Sequence, residues 1–156
     1  MAEPPAAIGG TVTHDGVQVT LAVATLKPVV FKGEKESRTV PLIRFELLVQ
    51  NPRAGGQIHF RRWGTTEREG NTIVLSTLID NLGNEYSPFR APPGSTSGFE
   101  FEEDEKTLAP GEQIRDVILF EPPANAESLI LRLSGYNVEG RQEYIRFQMT
   151  PAELKK

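Results

Sequence analysis

Apolar and polar residues alternate with a period of two along several runs of this chain, and that alternation suits a half-buried strand and not a helix. In Val17 to Val23, residues Val17, Val19, Leu21 and Val23 share one face, and Gln18, Thr20 and Ala22 take the other. Leu26-Lys27-Pro28-Val29-Val30-Phe31 continues the run, with Pro28 implying an edge or a bulge. From Leu42 to Val49, residues Ile43, Phe45, Leu47 and Val49 line one face, while Arg44 and Glu46 separate Leu42 from Leu48 on the other. No segment carries a sustained 3.6-residue period. Twelve prolines and fourteen glycines punctuate the pattern and leave no room for long helices.

Further runs complete the set. Ile58 to Trp63 is short and ambiguous in register, and Thr72 to Ile79 is β-rich and ends in the turn cluster Asp80-Asn81-Leu82-Gly83-Asn84. Tyr86 begins a short return, Ala91 to Gly98 reads as a loop, and Phe99 to Asp104 is short and acidic. Leu108-Ala109-Pro110-Gly111-Glu112 is a turn that launches Ile114 to Phe120, a strand with apolar residues on both faces after Asp116. Such a strand is either packed on both sides at one end, the preferred reading, or reset by a bulge. Leu129 to Leu133 and Tyr144 to Met149 close the series, with Gly135 to Gly140 as a hairpin-length connection. Together they predict an all-β chain, a two-sheet immunoglobulin-like β-sandwich of about seven or eight mostly antiparallel strands.

The chain of 156 residues fits one domain with a core large enough to fold unaided. Its expected division is a disordered linker over 1–11, the sandwich over 12–150 and a frayed tail over 151–156. The first residues lack the basic and apolar regions of a signal peptide and resemble a linker, which suggests a piece of a longer, membrane-anchored protein. No apolar run is long enough to span a bilayer as a helix. A net charge of -4 gives no electrostatic reason to approach nucleic acid.

Several segments, taken in order, carry a family resemblance. They are Val49-Gln50-Asn51, the run Leu78 to Tyr86, Leu108-Ala109-Pro110-Gly111-Glu112, and Val117 to Pro123. This arrangement, over roughly residues 15 to 150, resembles the telokin-like, immunoglobulin-like domains of unknown function found in bacterial secreted proteins and lipoproteins. The resemblance implies a β-sandwich outside the cytoplasm, often tethered through an N-terminal lipid or helix. It carries over no catalytic residues.

The most distinctive residues are explained by folding. Gly83 and Gly111 suit tight turns, Pro110 pre-sets the backbone before Gly111, and Asp80 and Asn81 bond nearby amides. Cysteine is absent, and His14 and His59 stand far apart without a metal-ligand spacing, so no metal or cofactor is expected. The carboxylates Glu100, Glu102, Glu103, Asp104 and Glu105 alternate between faces and cannot converge on calcium, so they read as a solvated edge. Asp80, Asn84 and Glu85 crowd a single turn. No nucleophile elbow or phosphate-gripping loop is present, and catalysis is not expected.

Arg61, Arg62 and Trp63 form the candidate binding patch, with Arg44 and Arg68 near in composition and the loop Ala91 to Gly98 beside them. The competing reading places Trp63 in the core, which would remove the anchor of the patch. Trp63, Tyr86, Phe89, Tyr136 and Tyr144 are the aromatics a sugar site would draw on. The resulting expectation is a non-catalytic extracytoplasmic interaction or accessory domain. Its partner is another protein, with no nucleic acid and a membrane only through sequence absent from this chain. A carbohydrate- or small-ligand-binding module is the alternative role, and the cytoplasm the alternative location.

Overall fold

A computed structural model describes residues 4–14, 16–63, 67–69, 72–74, 76–92, 94–101, 103–139 and 144–156, without the side chains of 67–69 and 72–74. Twelve strands lie among them: β1 (Thr11–His14), β2 (Val17–Lys32), β3 (Ser37–Gln50), β4 (Ile58–Arg61), β5 (Glu67–Glu69), β6 (Thr72–Val74), β7 (Thr77–Asp80), β8 (Glu85–Tyr86), β9 (Glu105–Leu108), β10 (Gln113–Phe120), β11 (Leu129–Ser134) and β12 (Tyr144–Met149). The chain is all-β, and every ladder between these strands is antiparallel. Among the described residues no helix is long and apolar enough to cross a membrane.

The alternation in sequence makes β2 and β3 partners. They form one long hairpin, with Val19 opposite Val49, Leu26 opposite Ile43 and Lys32 opposite Ser37. A bulge between Leu21 and Val23 resets the register. As a result Ala24 is buried, while Val23, expected on the inner face, is only half-buried. Pairing extends this hairpin into the sheet β1-β2-β3-β10. A second sheet runs β12-β11-β7-β8, and two short ladders, β4-β9 and β5-β6, stand beside them.

The inner faces of the two larger sheets meet in one apolar cluster. Val19, Leu21, Phe45 and Leu47 come from the first, and Leu78, Leu131, Leu133 and Phe147 from the second. Phe60, Trp63 and Leu108 enter the same cluster from β4, the residues just beyond it, and β9. The outer half of the β2–β3 hairpin forms a second, smaller cluster of Val29, Phe31, Val40 and Leu42, covered by Phe89, Phe99 and Leu119. Leu119 explains the two-sided strand: β10 buries Ile118 and Phe120 in the main core and packs Leu119 on the smaller one, with no bulge in its ladder to β3.

Three expectations about elements need correction. The described strands number twelve and not seven or eight, because two- to four-residue pieces such as β5, β6 and β8 pair in short ladders, and the strand next to Phe99 to Asp104 is β9, which begins at Glu105. The tail is not frayed: Leu154 is 4% exposed within the main cluster, the Leu26 N–H donates to the Lys155 carbonyl at 2.7 Å, and the Lys155 N–H donates to the Ala24 carbonyl. A buried leucine and an edge strand seeking partners are enough to hold it. Of the supposed linker, residues 1–3 lie outside the described residues. Beyond them Ala6 pairs with Phe147, the Gly9 N–H donates to the Leu21 carbonyl, and Thr11 already belongs to β1.

The Asp80 turn folds as a closed hydrogen-bonded unit. One Asp80 carboxylate oxygen accepts the N–H groups of Leu82 and Asn84, and the other accepts the Asn84 amide and the Tyr86 hydroxyl. Gly83 supplies the left-handed residue, at φ +86°. The Asn84 amide, with the other donors, holds the Asp80 carboxyl below the usual carboxylate range despite its burial. A depressed folded pKa stabilises the protein above the unfolded value of about 4 and is lost as pH falls through the folded one. Asp80→Asn should therefore be less stable than the parent at pH 7, with the gap closing as pH drops below about 4. Urea midpoints across a pH series measure this, and parallel curves would contradict it.

Candidate functional site

Arg62 and Trp63 do not form a surface patch. Trp63 is 1% exposed, its ring meets Phe60 edge-on at 5.0 Å, and its indole N–H donates to the Ser134 carbonyl at 3.0 Å. Arg62 is buried beside it, with its guanidinium 3.5 Å above the Phe101 ring. It donates to the Glu103 and Arg115 carbonyls and to the Asp116 carboxylate at 3.2 Å. Asp116, 1% exposed on the inner face of β10, also accepts the Trp63 N–H at 2.9 Å. Burial pushes the Asp116 carboxyl up, while the Trp63 N–H and Arg62 pull the other way. Of the three candidates only Arg61 reaches solvent, and it pairs with Glu105 at 3.0 Å. The Arg68 side chain lies outside the described residues.

The expected patch is thus a structural clasp. It joins the end of β4 to β10 and, through the Asn137 amide on the Arg61 and Arg62 carbonyls, to the turn after β11. Three described members of the acidic run are also engaged: Glu100 accepts the Ser97 and Gly98 N–H groups, Glu103 approaches Arg62, and Glu105 meets His59 and Arg61. Glu102 lies outside the described residues. The aromatics do not line up for a sugar. Trp63 and Tyr136 are buried, Tyr86 and Phe89 are half-buried, and Tyr144 reaches solvent with Arg132 stacked on it at 4.4 Å.

A groove of about 560 Å³ opens elsewhere, between the outer half of the β2–β3 hairpin and residues 96–99. Val29, Leu42 and Phe99 give it an apolar lining, and Lys27, Lys32 and Arg44 add cationic groups. Hydroxyls of Thr25, Thr96 and Ser97 complete its polar surface, and among the described residues no carboxylate lines it. The local charge opposes the net charge of -4 carried by the chain. Arg44 sits 4.7 Å above the Phe99 ring and lies 3.6 Å from Glu46, yet its buried Nε–H has no hydrogen-bond partner among the described residues. A buried donor left unused costs free energy unless something else accepts from it.

Two segments singled out in sequence meet at this groove. The loop Ala91 to Gly98 supplies one wall, with Pro93 outside the described residues, and Arg44 belongs to the other. Nothing in sequence placed Lys27 and Lys32 there. Pro28, between them, was the available sign that this stretch is a sheet edge.

No family model matches the chain. No curated protein matches it. Solved structures do. The YjhA protein of Bacillus subtilis superposes with a TM-score of 0.56 at 14% identity, over 93% of this chain and 98% of that one. YcdA of Bacillus subtilis, a candidate lipoprotein, gives 0.54 at 9% identity, over 92% of this chain and 39% of that one. At such identities the likeness establishes an all-β fold alone.

Proposed function

We propose that this chain is a non-catalytic interaction domain of the immunoglobulin-like sandwich kind, working outside the cytoplasm and holding a partner protein in the groove beside β2. The observation that carries this is the groove itself, apolar and cationic, on a domain whose net charge is negative. Rigid strands form one wall and a loop the other, an arrangement suited to recognition. Arg62 and Trp63 hold the fold, Arg61 pairs with Glu105 at the surface, and the binding role passes to Lys27, Lys32 and Arg44. Two facing sheets with a shared core support the sandwich reading. The extracytoplasmic location draws support from the shared fold of YcdA, itself a candidate lipoprotein.

The test combines fractionation with photo-crosslinking in cells expressing the native gene. A crosslinking residue at Thr96, in the groove, is compared with one at Leu82, which is 80% exposed on the Asp80 turn. The expected result is a discrete adduct from Thr96 only, in the envelope or secreted fraction. A purely cytosolic protein would overturn the location, and no adduct from Thr96 would overturn the binding role.

A further inference from the structure

The outer edge of β2 is covered piecemeal. Strand β1 pairs with Val17 to Thr20, Gly9 and Gly10 bond Leu21, Lys155 bonds Ala24 and Leu26, and Thr96 exchanges both backbone hydrogen bonds with Lys32. In an antiparallel ladder alternate residues turn their N–H and C=O groups to the same side. The outward bonds of Leu26 and Lys32 therefore place Pro28 and Val30 on the outward side too. Neither has an outward backbone partner among the described residues. Pro28 has no N–H to offer, so the gap presents the Val30 N–H and the carbonyls of Val30 and Pro28. The Val30 side chain is 42% exposed, and the groove lies alongside.

We propose that this gap takes an acidic peptide in extended form, which adds as a short strand to β2 at Val30 and sets the carboxylates on its groove side against Lys27 and Arg44. This deepens the interaction-domain reading and rests on it. The bonded positions 26 and 32 are six residue steps apart, with five residues between them, so at roughly 3.3 Å per step the slot is about 20 Å long and admits roughly four residues. Strand addition supplies affinity through the backbone and specificity through alternate side chains. Side chains on the groove side of such a strand meet Lys27 and Arg44, which share one face of the hairpin with Val29 and Leu42. Arg44 adds a second positive charge on that face, stacked on Phe99. The opposing reading is that Lys27, Pro28 and Lys32 merely guard an edge against aggregation. Guarding requires no apolar groove flanked by cations.

The probes are a blocked hexapeptide of alternating glutamate and valine and its lysine–valine counterpart, titrated into the full chain with amide exchange followed residue by residue. The glutamate peptide should bind, slow exchange at Val30 at least tenfold, and weaken with salt, while the lysine peptide should not bind. Val30→Pro removes the outward N–H and no bond to β3, and should weaken binding at least tenfold. Lys27→Glu, at an exposed side chain, should do the same with an unchanged melting temperature and serves if the proline variant folds poorly. Equal binding of both peptides, no binding of either, or affinity unmoved by Lys27→Glu would overturn the proposal. So would concentration-dependent protection of Val30 without peptide, which would assign the edge to a second copy of the chain. An adduct from Thr96 that the glutamate peptide fails to compete away would sink this inference and leave the interaction domain standing. Absence of the adduct would remove both.

Discussion

Trp63→Ala is expected to cost the fold about 3–5 kcal/mol, the usual range for deleting a large, fully buried aromatic side chain. Three losses add in this case. The apolar cluster loses a side chain that is 1% exposed, Phe60 loses its edge-on neighbour, and the Ser134 carbonyl loses the indole donor. For a chain of this length the melting temperature should fall on the order of 10 °C. Trp63→Phe should fall between, because it keeps a ring against Phe60 and gives up the hydrogen bond and some volume. Denaturant titration measures both. The chain has a single tryptophan, so its emission in the parent protein reports this site directly. It should be blue-shifted and resist iodide quenching until unfolding. A surface anchor would behave otherwise: Trp63→Ala would change stability by no more than about 0.5 kcal/mol and alter binding instead.

Trp63 also shows where sequence patterning stops. Alternation located β2, β3, β11 and β12 because each has one face in a core, and a period of two is the direct signature of that condition. The turns at Asp80 and at Leu108 to Glu112 were legible because their chemistry is local. In the latter, the Ala109 N–H bonds the Glu112 carboxylate, and Gly111 takes a left-handed φ of +83°. Arg-Arg-Trp carries no comparable local signal. An arginine and a tryptophan side by side suit a binding surface, and they equally suit a buried clasp. What decides is Asp116, 54 residues further along, which meets Arg62 only once β4 and β10 have been placed. Asp116 itself was visible as the residue after which β10 became apolar on both faces. Its place on the inner face was not, since an acid among apolar residues ordinarily marks the solvent side.

The groove was hidden for a similar reason. Its walls come from residues 25–44 and 96–99, and their approach depends on the Lys32–Thr96 pairing and on Phe99 covering the smaller core. The tail was hidden because a single buried leucine leaves no periodicity. Each of these features closes part of the β2 edge or borders it. The stretch at Val30 has no outward backbone partner among the described residues, because Thr96 and Lys155 bond its two ends. Fold and candidate site are therefore linked through one long strand, whose inner residues build the core and whose outer edge is covered on either side of Pro28 to Val30.

Asp116→Ala should destabilise the protein by about 3–5 kcal/mol, the usual result of stripping the partner from a buried charge. The Arg62 guanidinium would keep its carbonyl acceptors and its stack on Phe101 while losing its innermost counter-charge, because Glu103 lies 3.5 Å away and is half exposed. The Trp63 N–H would lose its acceptor as well. These two losses separate in a double-mutant cycle with Arg62→Met. Removing both charged groups with apolar replacements relieves the uncompensated cation, and buried pairs replaced in this way often lose little stability. The unsatisfied Trp63 N–H remains, at a cost of about 1–3 kcal/mol. The double variant should therefore be more stable than Asp116→Ala alone, yet less stable than the parent. Urea denaturation of the four proteins at pH 7 gives the coupling energy. If Asp116→Ala lay within about 1 kcal/mol of the parent, well below the buried-pair range, the clasp would not hold β4 to β10. The burial of Trp63 would then have to rest on apolar packing alone.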